Sequence, residues 1–271
     1  MKFAPANQAR ATTAFTLVEI AICLAIIGIA LVAIIGVLPI GMNTQRDNRE
    51  ETVVGQDASV LLEAIRTGAR GMSDLTNYVF LITNAVTYYN ANGLPTGTDI
   101  YGYTYTGATL NGTAFNYPIN NGQRIIGLLS TPEFIGAGGQ PIANVYNGGS
   151  SNHVVAYVRA LSGVAAEKPP QDNDIMRDDA FSYRLLVVNA PVAVATNAVA
   201  QANFNRTYDG HYGYNMRELR MTFLWPLLPI GNTGKGRQTF RVQVVGQMSA
   251  TNDHNLQTLY FYQPQSFTNA P

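Results

Sequence analysis

Ala14-Phe15-Thr16-Leu17-Val18-Glu19 leads straight into residues 20–40, a run dominated by isoleucine, leucine, valine and alanine without a single charge. Wound as a helix at about 1.5 Å per residue, that run is about 31 Å long, close to the hydrocarbon thickness of a bilayer. Glu19 is the one carboxylate near its start. An ionisable group at the edge of a membrane helix is costly and is a functional candidate by default. The bland alternative is an uncleaved signal anchor in which Glu19 is an interfacial accident.

Residues 1–14 carry two cations, Lys2 and Arg10, and no acid. An ordinary secretory signal places its apolar region before a small-residue cleavage site. Here the order is reversed, and the apolar run follows Ala14. A cut behind Ala14 would keep the hydrophobic segment in the mature chain. The cations ahead of the span predict a cytoplasmic amino terminus in a single-pass inner-membrane protein, with an extracytoplasmic, periplasmic body. The mixed-sign stretch at residues 45–51 does not oppose that orientation.

A short basic leader, a small residue, Phe-Thr-Leu-Val-Glu and an apolar run, in that order, resemble the amino terminus of type IV pilins and type II secretion pseudopilins. The specific match covers about the first 45 residues. The resemblance implies that a prepilin peptidase cuts between Ala14 and Phe15 and that the new amine of Phe15 is N-methylated. The family most often has Gly where this chain has Ala14, another small residue. Cleavage would place an ammonium four residues from Glu19, able to pair along one helix or between neighbours. The resemblance implies the second, with Glu19 meeting the amino terminus of an adjacent subunit during filament assembly. Such pairing would set axial register, the best-attested use of a buried ionic group.

Two body segments, residues 124–132 and 159–163, also look like the prepilin-type cassette proteins described in Verrucomicrobia. The body is large for a major pilin, which favours a minor subunit. The expected partners are the peptidase, other pilin or pseudopilin subunits and cytoplasmic-membrane lipid. Whether the machine is a pilus or a secretion system is left open.

The chain has 271 residues, formal charge zero and only 13% charged residues, a low value for a soluble enzyme. Neutrality gives no support for nucleic-acid binding. Cys23, the only cysteine, lies inside the apolar run, so no intramolecular disulfide can brace the body.

Beyond the span, Val54, Ala58, Leu61, Leu62, Ile65 and Met72 recur at three- and four-residue steps, predicting an amphipathic continuation of the helix. Four segments follow: a leader at 1–14, a transmembrane helix at 15–41, its continuation at 42–72 and a globular domain at 73–271. Gly36 and Pro39 either predict a kink or local melting in the apolar part or are the Gly and Pro that membrane helices ordinarily tolerate. Gly68, Gly71 and Ser73-Asp74 mark the helix end. Residues 75–89 fit both periods, and we read them as a second helix. Residues 100–105 read as a strand, and 124–129 as a short helix stopping before Pro132. Residues 154–158, 181–187, 219–225 and 240–244 read as strands. In the last three, apolar and more polar positions alternate. Pro226 and Pro229 end the third of these strands, the loop at 231–236 turns it into the fourth, and residues 256–262 supply a last edge strand. The expected class is α+β, a long helix packed on an antiparallel sheet, which the pilin resemblance also implies.

No catalytic or cofactor site emerges, and the expectation is a non-enzymatic chain. Gly231 to Gly236 fails the phosphate-loop pattern, because Pro229 stands where the first Gly is required and Gly236 replaces the magnesium-binding Ser or Thr. Asp172, Asp174, Asp178 and Asp179 form an acidic loop whose oxygens could bind calcium, without EF-hand spacing. A solvated loop is the simpler reading, so no metal site is assigned. His153, His211 and His254 share no ligand motif. Tyr101, Tyr103, Tyr105, Tyr208, Tyr212 and Tyr214 are amphipathic and suit either subunit contacts or sheet packing. A signal-anchored extracytoplasmic binding module that never polymerises is the competing class.

Overall fold

The computed structural model describes residues 15–105, 109–110, 113–114, 117–145, 147–163, 181–192, 215–228, 231–253 and 257–267. Its first helix, α1 (Leu17–Thr67), is continuous through Pro39. Of the two readings of Gly36 and Pro39, local melting is not seen, and the helix accommodates both residues. Contacts divide the chain into two units, residues 1–49 and 50–271.

In the first unit, from Ile20 to Met42, α1 is apolar on every side. Ile20, Ile27, Leu31, Ile35 and Leu38 are all more than half exposed, and so are the large apolar residues between them. A helix that is hydrophobic all round belongs in lipid or in a protein core. This one is long and apolar enough to cross a membrane.

In the second unit α1 becomes one-sided. Val54, Asp57, Ala58, Leu61, Ala64 and Ile65 are buried at helical spacing. The helix stops at Thr67, just before the first of the end signals, Gly68, and short of the boundary drawn at 72. The amide of Gly68 donates to the Ile65 carbonyl and that of Ala69 to the Ala64 carbonyl, at 3.0 and 2.9 Å. This is a Schellman closure, and Gly68 takes the positive φ of 61° that it requires. A Cβ at Gly68 would lie 2.3 Å from the Tyr262 carbonyl oxygen.

A short 3₁₀ turn (Ser73–Asn77) leads to β1 (Val79–Tyr89), β2 (Pro95–Thr104), β3 (Thr109–Leu110), β4 (Thr113–Ala114), β5 (Tyr117–Pro118), α2 (Gly122–Leu129) and β6 (Phe134–Ile135). Then follow β7 (Gly149–Arg159), β8 (Ser182–Pro191), β9 (Met216–Leu227), β10 (Thr233–Val245), β11 (Gln247–Asn252) and β12 (Thr258–Gln263). The main sheet runs β10-β9-β8-β7-β1-β2-β5, with β6 also paired to β7. Its pairs are antiparallel except β2–β5, which is parallel. The expected antiparallel sheet is thus a mixed one, and the architecture is broadly α+β.

Three expectations change. Residues 75–89 form a 3₁₀ turn and a strand, not a helix. The strand β1 is hydrogen-bonded on both sides, to β2 and β7, and a two-sided position satisfies its backbone in a way that overrides the helical spacing. The last strand, β12, is not an edge of the main sheet: it pairs with β11 in a separate hairpin. The third predicted strand continues through Pro226 to Leu227 in β9, while Pro229 lies outside the described residues. The β9–β10 hairpin forms as expected, but β10 already begins at Thr233, so the loop expected at 231–236 is shorter. Trp225 lies over Gly236 in this pair, where a Cβ would come within 2.4 Å of the indole.

The core lies between α1 and one face of the sheet. Val54, Leu61 and Ile65 join Ile82, Val154, Leu185, Val187, Met221 and Phe223 in one buried cluster, closed by Ile125, Leu129 and Phe261 from α2 and β12. Asn121 caps α2 by accepting from the Arg124 amide at 2.8 Å.

Candidate functional site: the start of the first helix

Thr16 has no helical assignment and Leu17 is the first helical residue. The Thr16 amide and hydroxyl both donate to Oε2 of Glu19 at 2.8 Å, and the Glu19 amide donates back to the Thr16 hydroxyl at 3.3 Å. The Ile20 amide closes the first turn on the Thr16 carbonyl at 3.2 Å. This is a capping box, Thr-x-x-Glu, satisfying orphan amides at a helix start. The signal was present in the sequence as Thr16-Leu17-Val18-Glu19, and reading Glu19 only as an ionic partner overlooked it. Oε2 is occupied within its own chain. No hydrogen bond reaches Oε1 among the described residues, so one oxygen remains available to a second partner.

Phe15, on which cleavage and methylation were expected, is 82% exposed. Ala14 and the rest of residues 1–14 lie outside the described residues. Cys23 is exposed on the apolar helix.

A second carboxylate on the same helix was missed. Asp57 is fully buried. It accepts from the Leu161 and Ser162 amides, each at 2.9 Å, and from the Tyr183 hydroxyl at 3.0 Å. Burial raises its pKa above the ordinary aspartate value, against the opposing pull of these donors. The effect is mechanical: α1 is tied to the turn after β7 and to β8. The clue was an acid at position 57, three residues after Val54 and four before Leu61, on the apolar stripe itself. The segment 159–163, singled out in the sequence, is thus the far side of this tie.

The other marked segment, 124–132, is also structural. Arg124 is buried and donates to the Pro118 carbonyl and to Asp253. Past α2, the Ser130 carbonyl accepts from the Asn189 side-chain amide at 2.6 Å, and the Tyr262 hydroxyl donates to the other end of Asn189 at 2.6 Å. Asn152 holds the Pro132 carbonyl at 3.1 Å. These bonds satisfy a buried bend rather than form a reactive centre.

Tyr101 and Tyr103 pack around Tyr117, and Tyr105 is exposed. His153 is exposed on β7. Tyr208, Tyr212, Tyr214, His211, His254 and the acidic stretch of Asp172, Asp174, Asp178 and Asp179 lie outside the described residues. Among the described residues no three metal-ligating side chains converge. No protein-family model, no curated protein and no solved structure matches this chain.

Proposed function

We propose that this chain is a structural subunit, a minor pilin or pseudopilin, of a type IV pilus-like or type II secretion filament. One observation carries the reading: a capped carboxylate, Glu19, stands at the head of a helix whose large apolar side chains are exposed from Phe15 to Met42. Such a helix needs lipid or other apolar helices around it. Transfer from bilayer to filament core exchanges one apolar surrounding for another. In that exchange Oε1 of Glu19 gains the ammonium of a neighbouring Phe15 while Oε2 keeps the helix start.

In this reading the chain inserts with its amino terminus in the cytoplasm, is cut before Phe15 and waits in the inner membrane, its body outside. Co-expression with a prepilin peptidase, followed by mass spectrometry of the amino terminus, tests it. The expected product begins at Phe15 and carries a methyl group. Recovery of an intact Met1–Ala14 leader from peptidase-positive cells overturns the proposal.

The capping box favours a second reading, a signal-anchored binding module, because it accounts for Glu19 without any neighbour. Glu19→Gln separates the two. The amide keeps an acceptor for Thr16 but cannot pair with an ammonium, so a filament subunit loses incorporation and a simple anchor loses nothing.

A further inference from the structure

We infer that the face of β8, β9 and β10 turned away from α1 binds an acidic polysaccharide, a linear sugar polymer carrying carboxylate or sulfate groups. Tyr183, whose hydroxyl meets Asp57 of α1, fixes which face is covered. Its neighbour Arg184 therefore points to the other side, as alternation along a strand dictates. Register then assembles the patch. Leu224 lies opposite Arg184 on one side and Arg237 on the other. Two residues along, Thr222 is opposite Thr239, and their hydroxyls are 3.0 Å apart. Two further, Arg220 is directly opposite Arg241.

Four guanidinium groups thus frame a pair of threonine hydroxyls. Arg237 and Arg241 are exposed, and the Arg220 side chain is 42% exposed. Like charges placed directly opposite across a ladder are destabilising, yet Arg220 and Arg241 occupy such a pair. Two acids offset them in part: Glu218, which accepts from Nε of Arg220 at 2.6 Å and also feels Arg241, and Glu133, which acts on Arg220 through its charge. No ion pair reaches Arg237 or Arg241 among the described residues. The face therefore keeps a net positive charge in a chain whose overall formal charge is zero.

The spacing suits a chain-like anion. Arg237 and Arg241 stand about 13 Å apart along the strand, and the cross-strand pair about 5 Å apart. Arginine forks bind carboxylate and sulfate oxygens in pairs. The threonine hydroxyls and the exposed amide of Gln243 lie between and beside them, placed for sugar hydroxyls. Nucleic acid fits less well: β8–β10 carry no aromatic ring on this face, the neighbouring ring opposite Arg184, Tyr157 of β7, is buried and cannot stack on a base, and four cations are few for duplex binding. The inference concerns the body alone and holds whether or not the chain polymerises.

The test uses the full chain in detergent micelles, passed over immobilised polygalacturonate, dextran sulfate, neutral dextran and duplex DNA. Retention is expected on one or both acidic polymers and not on neutral dextran, and it should fall as salt rises. The double variant R237Q/R241Q should bind at least tenfold more weakly, while R49Q/R66Q, which removes the same charge from α1, should bind like the wild type. Trp225 fluorescence checks that each variant is folded. Absence of retention, equal binding by wild type and R237Q/R241Q, an equal loss in R49Q/R66Q, or tighter binding to DNA than to either acidic polymer each overturns the inference.

Discussion

Thr16 and Asp57 show how one polar side chain decides what a long helix can do. Thr16 supplies two donors to Glu19 and receives one bond in return. Thr16→Val removes the hydroxyl and should fray the first turn, accelerating amide exchange several-fold at residues 18–20 in micelles, while Thr16→Ser should preserve protection. Asp57 is a buried acceptor for three donors. Asn in its place can accept from one amide but turns a donor toward the other, leaving a buried group unpaired at a cost of about 1–3 kcal/mol. The pH response has a definite sign. Burial raises the folded-state pKa of Asp57 above its ordinary 3.8. The folded form therefore holds its proton more tightly than the unfolded form. Its contribution to stability is complete below the ordinary value and is lost as pH rises through the higher folded value. Urea titrations followed by Trp225 fluorescence should show this decline in the wild type and a flatter profile in Asp57→Asn. A wild-type profile as flat as the variant's would contradict the assignment.

The closure of α1 carries the clearest prediction for a single element. At Gly68 a side chain would need a left-handed backbone and would strike the Tyr262 carbonyl. Gly68→Ala should cost more than about 1 kcal/mol. Gly71→Ala, where nothing lies within 4 Å of the new Cβ, should be close to neutral. If the two variants unfold at the same urea concentration, the helix does not end as described. Elements differ in how plainly the sequence announces them. The strands β8, β9 and β10 were legible because one face is buried and the other is not, so apolar and polar residues alternate. Helix α2 was legible from its apolar run and the proline beyond it. Strand β1 was not. Its residues Val79, Ile82 and Val86 sit at spacings that serve a helix equally well, and the partners that decide the matter, β2 and β7, are distant in sequence or follow it. Asp57 escaped for a different reason. A reading that follows apolar periodicity passes over a polar residue on the stripe, although a polar residue there must be paired.

For the whole molecule, the decisive contrast is between the two lengths of α1. Up to Met42 its large apolar side chains are more than half exposed, whereas from Val54 onward its buried stripe belongs to the same core as the sheet. The stability of the body should therefore depend on residues 54–65 and hardly at all on the apolar segment. A chain beginning at Arg46 keeps Asp57, Leu61, Ile65 and the Gly68 closure, so it retains the whole buried face and the tie to Leu161 and Ser162. It should be monodisperse without detergent, and its single tryptophan, Trp225, should unfold with a midpoint within experimental error of the full chain's in micelles. A chain beginning at Gly68 loses that face. Its sheet would expose Val154, Leu185, Met221 and Phe223, an apolar surface that water does not tolerate. That shorter chain should aggregate or unfold without a cooperative transition. Cooperative unfolding of the chain from Gly68, at the midpoint of the chain from Arg46, would mean that the helix is carried by the body rather than built into it.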